Sequence, residues 1–230
     1  MSNEADKIKA RRRFLTGMGV VATTATLATS AQAQQSSSGR RGFTPARHEE
    51  DSWMDAIPGS HRVFVDSSTK PGGVTAMNYA NNLMVGHTTG YAGEESDNAI
   101  IVCFRHASTA LGFNDAMWKK YSGSFNRGLG FNDPNTDGPF ETNPLHMEVS
   151  RFVNRGNTIQ SLIERGISYC ICNKATQSLS AGLARGFDGS ADEIYQELIQ
   201  NNIDGSRFVA TGVTAATRNQ EYGYSLLYAG

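Results

Sequence analysis

Six consecutive apolar residues, Ala99-Ile100-Ile101-Val102-Cys103-Phe104, run without a polar interruption. The run is strand length, and a strand with no polar side must be covered on both faces. That demand is met by a parallel sheet between layers of helix. The rest of the chain is consistent with it. Apolar runs at 61–66, 167–172, 207–210 and 224–228 read as further strands. Segments with apolar residues at helical spacing lie between and after them, at 74–87, 115–121, 158–165, 175–184, 191–201 and 213–220. The alternation predicts an α/β fold with a mostly parallel five-stranded sheet and helices on both faces. Sheets of this kind bind ligands beyond the carboxyl ends of their strands. Three such ends stand out, at 66–73, 105–109 and 172–176.

The N-terminus reads as a leader. Arg11-Arg12-Arg13-Phe14-Leu15 precedes a mildly apolar stretch over 16–31, which closes in Ala31-Gln32-Ala33. A charged start, a short apolar centre and a small-x-small site make a secretory signal. The arginines followed by Phe-Leu resemble a twin-arginine translocation signal. The apolar stretch is short and diluted by threonines, which argues against a membrane anchor. The expected organisation is a signal peptide at 1–33, a Ser/Gly-rich flexible tether at 34–58 and one α/β domain at 59–230. The expected location is the periplasm, with no membrane span after cleavage. The leader holds five of the 21 basic and two of the 22 acidic residues, so 16 basic residues face 20 acidic ones in the remainder. A net charge near −4 argues against a nucleic-acid partner.

Three cysteines, Cys103, Cys170 and Cys172, are too few for a disulfide scaffold, and an odd count in an oxidising compartment leaves at least one free thiol. Cys103 is mid-strand and reads as buried. Cys172 ends a strand just before a helix, where the macrodipole and free N–H groups favour a thiolate. From the residues alone it reads either as a core thiol or as a nucleophile. Lys174 and Asn173 follow it directly. Arg105 and His106 end the strand at 99–104 and suit an anionic sulfur substrate or acid/base work. Ser67 and Ser68 open a strand-to-helix loop that either binds an anion or is plain turn chemistry. Cys170 and Cys172, two apart on a strand, face the same way and offer soft ligands for copper. No other Cys or His stands near them in sequence, and His106 is a conceivable third ligand. The long Gly/Asn/Asp/Pro-rich segment over 123–144 reads as a loop.

The segments VTAMNYANNL (74–83), VCFRHAS (102–108), NDAMWKKY (114–121), GISYCICNKAT (166–176) and NQEYGYSLLYA (219–229) resemble the DsrE/DsrF-like family, in its Tat-exported branch. The resemblance covers about residue 61 to the C-terminus. It implies a flavodoxin-like three-layer fold, a tendency to homo-oligomers, and sulfur relay through a cysteine persulfide at Cys172, with no cofactor. Cys170 is additional to the family pattern, and the family's relay complexes are typically cytoplasmic. The implied function is a periplasmic sulfur carrier or sulfurtransferase-like protein. Its partner is a sulfur donor or acceptor protein or a small sulfur compound. The alternatives are a non-catalytic ligand- or partner-binding module of the same fold, or a thiol copper binder.

Overall fold

The computed structural model describes residues 44–148 and 153–230. The expected signal peptide at 1–33, and the tether as far as residue 43, lie outside the described residues. Five strands, β1 (His61–Ser67), β2 (Asn98–Phe104), β3 (Ser168–Cys172), β4 (Ser206–Val209) and β5 (Ser225–Tyr228), form one sheet in the order β4-β3-β2-β1-β5. Every pairing is parallel, with Val63 opposite both Ile100 and Ser225, Cys103 opposite Cys170, and Cys172 opposite Val209. The principal helices are α1 (Lys70–Tyr91), α2 (Asp115–Lys120), α3 (Ile159–Glu164), α4 (Asn173–Leu183), α5 (Ala191–Gln200) and α6 (Gly212–Glu221). The three-layer, flavodoxin-like arrangement expected from the sequence is the one observed.

The apolar run that demanded cover on both faces is β2, and its side chains divide with period two. Ile100, Val102 and Phe104 join a large core with Met77, Ala80 and Met84 of α1, Leu162 of α3, Leu183 of α4 and Leu198 of α5. Ala99, Ile101 and Cys103 join a smaller core on the opposite face with Ala215 and Ala216 of α6. Right-handed crossovers explain the division. The chain steps from β1 to β4 in one direction, which places every helix as far as α5 on one face. It then jumps back across the sheet to β5, which places α6 on the other.

Two expectations are corrected. The tether over 34–58 ends earlier than its polar composition suggests, because the folded unit begins at Pro45. Met54, in the single helical turn Trp53–Ala56, is fully buried in the smaller core. Its carbonyl accepts from Tyr224 Oη at 2.7 Å, so one apolar side chain anchors an otherwise polar stretch. The first helix also begins before 74. Thr69 caps it, accepting from the Gly72 N–H, and Pro71 sits in the first turn. Gly72 is required there, since a Cβ would meet the Gly230 carbonyl oxygen at 2.3 Å.

The segment over 123–144 is a packed loop. Trp118 and Tyr121 just before it, and Phe125 and Phe140 within it, are buried in the large core. Lys70, almost fully buried, donates from Nζ to the carbonyls of Ser124, Phe125 and Arg127. Burial first, and the nearby Arg127 charge second, bring its amine down from 10.5 to about 8. The folded chain therefore binds this proton less tightly than the unfolded chain. The unfolded state holds more protons between pH 8 and 10.5, so the Lys70 contribution makes the protein more stable as pH rises through that window. Urea unfolding of wild type and Lys70→Met from pH 7 to pH 10.5 checks this: wild type gains stability relative to the variant above pH 8.

Candidate functional site

In a parallel α/β sheet the ligand crevice opens where neighbouring strands send their outgoing connections to opposite faces. Here those strands are β3, which leads into α4 on one face, and β4, which leads into α6 on the other. A cavity of about 540 Å³ lies at this point. Cys172, Lys174, Arg105 and His106 line it, together with the segment Thr211–Val213. Four of the seven residues singled out from sequence are thus brought to one place.

Cys172 is 6% exposed and is the N-cap of α4. The other labelled helices are capped by Thr69, Asn114, Thr158, Ser190 and Thr211, the oxygen-bearing residue types usual at this position. At α4 the acceptor is sulfur: the Ala175 N–H donates to Cys172 Sγ at 3.3 Å. The helix starts at Asn173, two residues before the apolar spacing suggests, and this places the sulfur at its positive end. The Lys174 N–H donates to the Ala210 carbonyl, tying the start of α4 to the end of β4. The first turn of α6 also opens on the cavity, so two helix N-termini flank it.

Arg105 is fixed from below. Its Nε and Nη2 donate to the two oxygens of buried Asp66 at 2.8 and 2.7 Å. This hydrogen-bonded contact, ahead of the opposing effect of burial, holds the guanidinium pKa above its ordinary value. Nη1 has no hydrogen-bond partner among the described residues, and the guanidinium carbon lies 5.9 Å from the Tyr228 ring centroid. The stem of Arg105 packs on the start of α6, where a Cβ on Gly212 would stand 2.5 Å from the Arg105 Cβ.

His106 has φ +53°, left-handed backbone that costs a non-glycine residue about 1 kcal/mol. Its neighbours impose it. The Arg105 N–H donates to Ser108 Oγ at 2.9 Å and the Ala107 N–H to the Ser68 carbonyl at 3.0 Å. The exposed imidazole stands at the cavity mouth with no hydrogen bond among the described residues.

The other candidates sit elsewhere. Asn173 Oδ1 accepts from Tyr195 Oη at 2.7 Å, joining α4 to α5. Ser67 is fully buried and donates to the Cys103 carbonyl at 2.7 Å. Ser68 Oγ lies 2.6 Å from Tyr228 Oη. The Ser68 and Thr69 N–H groups both donate to the Gly230 carbonyl, which occupies the place an anion would take at the start of α1. Ser67 is therefore a buried strand-end residue and Ser68 a turn residue.

The cysteines divide by depth. Cys103 and Cys170 are register partners in the smaller core, both fully buried. The hydrogen-bonding contact with the Cys170 thiol foremost, and burial after it, push the Cys103 thiol well above its usual range. Cys170 and Cys172 share a face of β3, but only the second lines the cavity. Among the described residues no group of three or more His, Cys, Asp or Glu is placed to hold a metal ion. His106, the conceivable third ligand for copper, lines the cavity with Cys172, while Cys170 is buried in the smaller core.

Sequence reasoning considered three strand ends and missed a fourth, 210–213, which supplies the far wall. Thr211-Gly212 before an apolar helical stretch was a readable helix start. That β4 neighbours β3 was not readable.

No family model matches the chain, and no curated protein does. Among solved structures it is similar to a protein of unknown function from Methanobacterium thermoautotrophicum, at 16% identity and a TM-score of 0.40, over 74% of this chain and 99% of that one.

The Asp66–Arg105 pair is the structural base of the site, and removing one partner leaves the other charge under-compensated. Asp66→Asn is expected to lower stability by roughly 2–3 kcal/mol in urea unfolding, with Asp66→Asn/Arg105→Met recovering part of the loss.

Proposed function

We propose that the protein carries sulfane sulfur on Cys172, working in the periplasm after export of the leader. The observation that supports the reading is that Cys172, of the three thiols, is the one at the crevice, with Arg105, His106 and Lys174 around it. The thiolate is the attacking form. It strikes the outer sulfur of a persulfide R–S–SH. The S–S bond breaks, R–S⁻ leaves, and Cys172–S–SH forms with its proton on the transferred sulfur. Nothing is oxidised overall. With thiosulfate the same attack leaves Cys172–S–S⁻ and expels sulfite. Lys174 and Arg105 favour the anionic donor and leaving group, and His106 exchanges the proton at the mouth. Among the described residues no helix is long and apolar enough to cross a membrane.

The second reading is a binding module of the same fold, with Cys172 structural. The near-complete burial of its side chain favours it. Intact mass after incubation with polysulfide or thiosulfate separates the two. The carrier gains sulfur in wild type and in Cys170→Ala, and gains none in Cys172→Ser. No gain in wild type, with Cys172 resisting alkylation until the chain is denatured, establishes the module instead.

Self-association belongs to the same proposal. The edge strand β5 pairs only with β1 and exposes Leu226 and Tyr228, at 45% and 54%, with no charge to deter another strand. Light scattering on wild type is expected to give an oligomer, and Leu226→Lys a smaller species. Identical masses remove β5 as the interface.

A further inference from the structure

A second cavity, of about 460 Å³, adjoins the first along α4. The two share Ser178 and Leu179 as lining residues, so they form one groove with Cys172 at one end. Arg127 and Arg185 line the other end. From these we infer that the groove binds a short peptide thiol carrying carboxylates, or its persulfide, with the sulfur at Cys172 and a carboxylate at Arg127 and Arg185. The sulfur step rests on the proposed role of Cys172; the binding does not.

Size is the first argument. Thiosulfate or a short polysulfide has a handful of atoms, whereas the Cys172 cavity alone has the volume of a cleft for a much larger organic molecule. Length agrees. The eleven residues of α4 rise about 16 Å, and extended peptide advances about 3.4 Å per residue, so roughly three to five residues fit along it. The groove floor is low, because Ala175, Ser178 and Gly182 recur on one side of α4, and a Cβ at Gly182 would meet nothing within 4 Å.

Chemistry is the second. Between the cationic ends the walls are apolar, with Leu179 and Val213, the latter 58% exposed in the first turn of α6. Carbon gains from that contact, and a small hydrated anion does not. Neither cavity is lined by a carboxylate. Arg127, Lys174 and Arg185 form no ion pair among the described residues. Unpaired guanidinium groups at the end of a groove, in a chain with more acidic than basic residues, suit a carboxylate presented by the ligand.

The test uses the full chain and the tripeptide thiol glutathione, which has two carboxylates, as probe. Calorimetry of Cys172→Ser with S-methylglutathione reads binding without any sulfur chemistry. Saturable binding is expected, weakened about tenfold in Arg185→Ala and further in Arg127→Ala/Arg185→Ala, as for lost charge-assisted contacts. Circular dichroism establishes that the variants are folded. No saturable binding at millimolar probe, or equal affinity in the folded variants, overturns the inference. In wild type, intact mass should show faster sulfur uptake from glutathione persulfide than from inorganic polysulfide, with that ratio reduced in the double variant. Binding without uptake upholds the groove and removes the carrier reading. Uptake without binding upholds the carrier and removes the groove.

Discussion

A strand with no polar face can exist only between two layers, and β2 is such a strand. Ile100, Val102 and Phe104 need one cover, and Ala99, Ile101 and Cys103 need another. One chain supplies both covers by winding in one direction through four strands and then reversing. The reversal places α6 opposite α1 to α5 and opens the crevice between β3 and β4. The site follows from how the apolar sheet is covered on both sides.

The crevice is held by polar contacts beneath it. Asp66 anchors Arg105 with two hydrogen bonds, and the glycine at 212 lets the arginine stem lie against the start of α6. The same loop forces His106 into left-handed backbone while Ser67, Ser68 and Ser108 hold its neighbours. A strained residue in a well-tied loop at a cavity mouth is the pattern expected of a functional position. The start of α1, where this fold class often receives an anion, is closed by the Gly230 carbonyl. The starts of α4 and α6 open on the cavity instead.

Much of the architecture was legible in the chain because its signals are local. Period-two and period-3.6 patterns act over a few residues, and the strands and helices they predict are present. Boundaries were less legible where a single contact decides them. Met54 ties down a polar segment that reads as a tether, and Thr69 with Pro71 starts a helix inside what reads as a turn. At Cys172 the helix begins two residues early, which turns the last residue of a strand into a cap.

By itself the sequence determined the fold class, the depth of Cys103, and the placing of Cys172, Arg105 and His106 at strand ends. These follow from hydropathy and spacing along one segment at a time. Only the tertiary structure decided that β3 lies beside β4, that Thr211–Val213 faces Cys172, that Ser67 and Ser68 serve the strand end and turn, and that Cys170 stays in the core while its neighbour reaches the groove. Strand order is a property of the whole sheet. It depends on how two cores are shared among the helices that cover them, and no local pattern encodes it.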